Sequence, residues 1–166
     1  MSNDPSEKLL ETARTTIRSA EYGFFITIGD AGAPNARVMQ PYEPEKDFTI
    51  FFGASPRARK VRDLARNPNV TVAFFDPRET AYVTLQGTGE VIDDVSLRRK
   101  YWRVYWNDFY PGGPESEDYV LIRFVPNRIE MMNFAQKVMP QPYGLRPAIL
   151  LREGSAWKEL DANQPY

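Results

Sequence analysis

The chain has 166 residues, enough for one domain and too few for two independent cores, and its 42% hydrophobic and 26% charged residues place it among globular chains rather than disordered or fibrous ones. Its 21 Lys and Arg against 22 Asp and Glu leave a net charge of −1, so no overall field draws it to nucleic acid or an anionic membrane. With no Cys and no His, it cannot form a disulfide framework, a thiolate or imidazole zinc site, a Cys nucleophile, a Ser-His-Asp relay or a histidine-ligated haem.

The first residues, Met1 to Glu7, carry neither a basic segment nor an apolar one, and no run nears the ~18 apolar residues of a membrane span, so a cytoplasmic chain is expected. Asp4-Pro5-Ser6-Glu7 reads as a helix start, and Leu9, Leu10, Ala13, Ile17 and Ala20 continue it with one apolar stripe over residues 5–20. The aromatic and β-branched run Tyr22 to Ile28, the turn residues Gly29 to Pro34 and the extended run Asn35 to Pro41 predict a hairpin. Asp47 to Ala54 is a third strand leading into Ser55-Pro56, read as the start of a second helix that ends at Asn67-Pro68. Strands follow at Val70 to Phe75 and Tyr82 to Val91, with Gly87 and Gly89 pointing to a bulge or sharp bend. Asp93-Asp94 caps a third helix whose buried face is predicted to be Leu97, Tyr101, Val104 and Tyr105. After the turn-rich loop Pro111 to Asp118 come strands at Tyr119 to Val125 and Asn127 to Phe134, an irregular stretch over 135–146, and a hairpin within 147–160. About eight strands, neighbours in sequence and separated by short helices, predict a mainly β fold: an antiparallel barrel with peripheral helices. The 13% aromatic content suits either a packed barrel or a face covered by a second copy.

The junction Ala54-Ser55-Pro56-Arg57-Ala58-Arg59-Lys60 sets three cations near a helix N-terminus, where the macrodipole is already positive. Free backbone N–H groups, the Ser55 hydroxyl and the heads of Arg59 and Lys60 would together cradle a phosphate; a solvated basic face over Arg57, Arg59, Lys60, Arg62 and Arg66, partly neutralised by Asp63, is the alternative. Arg37, inside a short strand, needs solvent or an anionic partner. Trp102 and Trp106, one helical turn apart, read as core or interface packing. Glu115, Glu117 and Asp118 match no calcium-loop spacing and read as solvated, and Gly87-Thr88-Gly89 lacks the remainder of a dinucleotide fingerprint.

Taken together, Ala36-Arg37-Val38-Met39, the run Lys60 to Val70, Gly87 to Asp94 and Phe109-Tyr110-Pro111-Gly112-Gly113 resemble the pyridoxamine 5'-phosphate oxidase-like flavoproteins, closest to their bacterial general-stress-protein branch. Arg128-Ile129-Glu130, Arg146 and Ala156-Trp157-Lys158 are similar to the end of the oxidase itself. The resemblance covers about residues 20–134 well and the tail more loosely. It implies one antiparallel split β-barrel domain over 1–166 and a homodimer with FMN in two symmetry-related sites at the subunit interface. It places the phosphate-binding basic pair on Arg59 and Lys60, with Ser55 beside it and Arg37 near the flavin and its phosphate. The Met39 and Gln40 backbone would line the ring, and Arg146 would approach from the other side. Tyr82 and Met132 fall where the oxidase has Gln and Trp, and Ala54 and Ala58 replace Thr and Ser hydroxyls. The oxidase's substrate contacts include a histidine, so this chain is not expected to oxidise pyridoxamine phosphate.

The resemblance implies an FMN-dependent oxidoreductase in which the flavin carries hydride or electrons between an unidentified small-molecule donor and acceptor. The alternative is a non-catalytic flavin or deazaflavin binder with a stress-related role. A nucleic-acid-binding barrel finds support only in the basic residues of 57–66 and is disfavoured by the charge balance.

Overall fold

The computed structural model describes residues 5–138 and 146–161. Helix α1 (Pro5–Ala20) opens the chain with proline in its first turn; Leu10, Ala13 and Ile17 are buried against the sheet, chiefly over β4 (Asn69–Asp76) and β5 (Ala81–Ile92). The Asp4 cap expected before it lies outside the described residues. Strands β1 (Gly23–Ile28) and β2 (Pro34–Met39) form the predicted hairpin, followed by β3 (Ile50–Ala54), α2 (Arg59–Arg66), β4, β5, α3 (Val95–Lys100), β6 (Val120–Asn133) and the hairpin β7 (Ala148–Glu153) and β8 (Ala156–Glu159).

The eight strands of the described residues join one antiparallel sheet in the order β2-β1-β4-β5-β6-β7-β8, with β3 also on β6. The long strand β6 organises it. Strand β3 pairs with Val120 to Phe124 and β7 with Arg128 to Met131, so both lie along the edge of β6 that β5 leaves open, and the sheet divides there. This is the expected mainly β, split antiparallel barrel with few helices.

Sequence reading broke β6 into two strands at Pro126; the structure keeps it whole. Gln86 pairs with Arg128 and Gly87 with Pro126, so Asn127 is an extra, unmatched residue. This is the bulge anticipated at Gly87, and it accommodates a proline that has no N–H for the ladder. Only glycine fits opposite, because a Cβ on Gly87 would stand 2.1 Å from the Val125 carbonyl oxygen and 2.6 Å from the Pro126 Cα.

The main core gathers Phe25, Phe52, Phe74, Leu85 and Phe124 between the sheet and α1. A second, aromatic core holds Phe51, Tyr101, Trp106 and Tyr119, with Trp102 and Tyr110 packed onto it. Trp102 and Trp106 meet edge to face at 6.2 Å, and Phe51 stacks on Tyr101 at 4.2 Å. Such pairs contribute about 0.5–1.5 kcal/mol each beyond their buried area.

Two helices depart from expectation. Helix α3, capped as predicted by Asp94, whose carboxylate accepts the Leu97 N–H at 2.8 Å, stops at Lys100. In a longer helix the Tyr101 carbonyl would accept the Tyr105 N–H. Here it accepts the hydroxyls of Tyr42 and Tyr119 instead, the latter at 2.7 Å, and the chain turns into a 3-10 segment, Val104–Asp108. Trp106 takes the buried place, while Val104 and Tyr105, predicted to be buried, are exposed. Helix α2 begins three residues later than predicted: Ser55-Pro56-Arg57 is a tight turn, closed by the Ala58 N–H on the Ser55 carbonyl at 3.0 Å, and the Ser55 hydroxyl oxygen accepts the Arg57 N–H at 3.3 Å. Ala58 is the N-cap and supplies no side-chain bond.

Candidate anion and cofactor site

Helix α2 lies against the end of the β1–β2 hairpin, on the face that Phe25 and Thr27 turn inward. Its Asp63 is buried rather than solvated. A single carboxylate oxygen, Oδ2, accepts the Thr27 hydroxyl at 2.6 Å and the Asn35 amide at 3.2 Å, and stands 3.5 Å from Nη2 of Arg37. Burial pushes this carboxyl up. Hydrogen bonds from Thr27 and Asn35 and the charges of Arg37 and Arg59 outweigh that and hold it below its ordinary value.

Arg37 pairs across the hairpin with Phe25 and so reaches to the same face. Its Nη1 donates to the Phe25 carbonyl at 3.1 Å and the Thr27 hydroxyl at 2.7 Å, which fixes the plane of the guanidinium. Its Nη2 is buried and has no hydrogen-bond partner. Burial, opposed by Asp63 and assisted by the charge of Arg59, lowers the Arg37 pKa. Lys60 is half-buried, and burial together with Arg37 lowers its pKa as well. Among the described residues neither Arg59 nor Lys60 forms an ion pair with a carboxylate. Three cations thus converge at the first turn of α2, and Nη2 of Arg37 makes no hydrogen bond besides its ion pair with Asp63. The arrangement fits a phosphate-sized anion.

The remaining predicted residues lie elsewhere. Met39 is buried opposite Gly23 at the end of β2, and the Gln40 side chain accepts a hydrogen bond from the Tyr105 hydroxyl at 2.6 Å. Tyr82, half-buried, stands between Phe75 of β4 and the buried Met132 of β6. Arg146 sits just before β7. Within one chain, then, Arg37, Arg59 and Lys60 come together with Ser55 in the preceding turn, whereas Tyr82 and Met132 lie on β5 and β6 and Arg146 precedes β7. Ala54 and Ala58 offer no hydroxyl, as read. Of the other cations near α2, Arg57 pairs with Asp118 at 3.2 Å and Arg66 with Asp30. In the acidic loop Glu115 is taken by Arg99. No group of three or more metal-binding side chains occurs among the described residues, and none of their helices is long and apolar enough to cross a membrane.

Sequence reasoning missed Thr27 and Asn35 and read Asp63 only as a partial neutraliser of a solvated basic face; together the three orient Arg37. Asp63 directly precedes the apolar Leu64 on the buried side of α2, and that position was the only signal of its burial.

The family described as pyridoxamine 5'-phosphate oxidase like matches residues 7–139. The chain belongs to this family. No curated protein matches it. Among solved structures, the pyridoxamine 5'-phosphate oxidase-like chain is similar to general stress protein 26 from Bacillus anthracis (25% identity over 75% of this chain and 93% of that one, TM-score 0.66). It is also similar to a protein related to general stress protein 26 of B. subtilis from Clostridium acetobutylicum (22%, 78% and 91%, TM-score 0.69). An FMN-binding, pyridoxamine 5'-phosphate oxidase-related protein from Nostoc punctiforme shares the fold over almost the whole length (15%, 96% and 97%, TM-score 0.73).

Proposed function

We propose that this chain binds FMN, as a homodimer in the cytoplasm, and uses it as an oxidoreductase with a small-molecule electron donor and acceptor. The observation that carries the reading is the convergence of Arg59 and Lys60, neither of which is paired with a carboxylate, with the buried Arg37 that Asp63 holds beside them. These three side chains and the first N–H groups of α2 hold the phosphate. Asp63 and Thr27 keep Arg37 aimed at it. Bound FMN supplies hydride or electron transfer. The Met39–Gln40 backbone lines the ring, and Ser55 stands beside the phosphate.

A dimer is supported by the outer face of the hairpin. Phe24 and Val38 lie directly opposite each other, 54% and 58% exposed, with Phe75 63% exposed on the strand beyond. In such a dimer Tyr82, Met132 and Arg146, which belong to other elements than the α2 cluster, would approach the flavin from the second copy. The alternative, flavin or deazaflavin storage without turnover, is favoured by the lack of any histidine; reduction of the bound flavin by a nicotinamide cofactor separates the two.

The test is FMN titration of Arg59→Ala/Lys60→Ala. Each charge-assisted contact contributes about 1.5–3 kcal/mol, so affinity falls by roughly 10²-fold or more while the fold survives, Arg59 being exposed and Lys60 only half-buried. Unchanged affinity overturns the assignment.

A further inference from the structure

A cleft of about 240 Å³ opens beside Gln40, between the C-terminal turn of α1 and the segment Gln40 to Pro44. Its walls are Ile17, Pro41, Tyr42 and Pro44. Four charges border it: Arg18, Glu21, Glu43 and Arg103. Arg18 and Glu43 pair with each other at 2.6 Å and so cancel. Glu21 is exposed at the rim, where water screens it.

Arg103 differs from these. It is half-buried, its guanidinium lies over the Tyr42 ring at 4.3 Å and near the Trp106 ring at 5.4 Å, and among the described residues no carboxylate pairs with it. Its Nη2 donates to the Pro41 carbonyl at 2.6 Å and its Nη1 to the Tyr105 hydroxyl at 3.0 Å. A guanidinium has five N–H donors in a planar fork, so these two bonds fix its plane and leave the others for a ligand. Tyr105 in turn donates to the Gln40 side chain, which ties the cation to the strand end that would line the flavin.

We propose that this cleft is the subsite for a small planar carboxylate, gripped by Arg103 and packed on Tyr42. The proposal deepens the flavin reading, on which its role rests: it names an aromatic or unsaturated carboxylic acid as the class of molecule that meets the ring. The chemistry is specific. A fixed guanidinium takes a carboxylate through parallel N–H···O bonds, which a neutral amide of the same shape cannot reproduce, and a volume of this order accommodates a single ring rather than a nucleotide.

The probes are benzoate and benzamide, titrated calorimetrically into the flavin-free protein and the FMN-loaded protein. Benzoate is expected to bind and benzamide to bind at least tenfold more weakly, with the preference abolished in Arg103→Gln and partly kept in Arg103→Lys. The wild-type comparison stands whether or not the variants fold, and thermal melts report on them separately. Equal binding of the two probes, no benzoate binding at millimolar concentration, or an unchanged preference in a folded Arg103→Gln overturns the proposal and leaves Arg103 a structural pin between Pro41 and Tyr105. FMN retention without benzoate binding refutes this subsite alone; benzoate binding without FMN retention refutes the flavin reading and the role drawn from it.

Discussion

Replacing Asp63 by Asn tests whether the orientation of Arg37 rests on one buried charge. Asparagine keeps the volume and an acceptor oxygen, so the Thr27 and Asn35 contacts survive as neutral hydrogen bonds. Hydrogen bonds to a charged group contribute about 1.5–3 kcal/mol against about 0.5–1.5 for neutral ones, which puts the loss over two contacts near ~2 kcal/mol. Arg37, its side chain only 19% exposed, also loses its counter-charge, at a further cost of about 1–2 kcal/mol. The sum, about 3–4 kcal/mol, corresponds to a fall in Tm of roughly 6–15 °C for a chain of this size. Urea unfolding of both proteins across pH measures it. The wild-type carboxyl sits below its ordinary value in the folded state, so its contribution is complete above the unfolded pKa and disappears as pH falls through the folded one. The gap between the proteins should therefore be constant from about pH 8 to 5 and close only below about pH 4. A gap under about 1 kcal/mol, or one that persists undiminished at pH 3, would refute the account of Asp63 as a charged orienting group.

Three further outcomes are expected. Because burial and Arg37 lower the Lys60 pKa, FMN affinity should begin to fall, as pH rises, before an ordinary lysine (~10.4) would titrate; Lys60→Arg should flatten that limb in FMN titrations between pH 7 and 10.5, and an identical limb in the variant would assign the titration elsewhere. Gly87→Ala forces a Cβ into the Val125 carbonyl and should destabilise the chain by about 3 kcal/mol or more in chemical denaturation; a loss under about 1 kcal/mol would mean that the bulge relaxes freely. Phe24→Asp with Phe75→Asp should yield a folded monomer by sedimentation if that outer face joins two copies, and a mass unchanged from wild type would place any dimer contact on another face.

Local chemistry made much of the fold legible in advance. Alternating β-branched and aromatic runs marked the strands, Gly87 marked the bulge, and Asp94 marked a cap. What escaped was decided by partners distant in sequence. The length of α3 depends on the Tyr42 and Tyr119 hydroxyls, which come from elsewhere in the chain and occupy the Tyr101 carbonyl. Ser55-Pro56 carries the composition of a helix start, yet the Ser55 hydroxyl closes its own turn and cedes the cap to Ala58. At the site, the clustering of Arg59 and Lys60 was visible because their spacing is local. Arg37 read as an edge-strand cation in water or with an anion, and its anion proved to be Asp63, 26 positions away, whose burial no periodicity of α2 announces.

The unmatched Asn127 also acts as a phase shift in β6. Before it, even-numbered residues fill the main core: Val120, Ile122 and Phe124. After it, odd-numbered ones do: Ile129 and Met131. A regular strand carrying all fourteen residues would turn Arg128 and Glu130 inward and expel Ile129 and Met131. Deleting Asn127 accordingly leaves every other side chain of the strand on its present face. A deletion remote from the bulge would exchange core for surface along part of the strand.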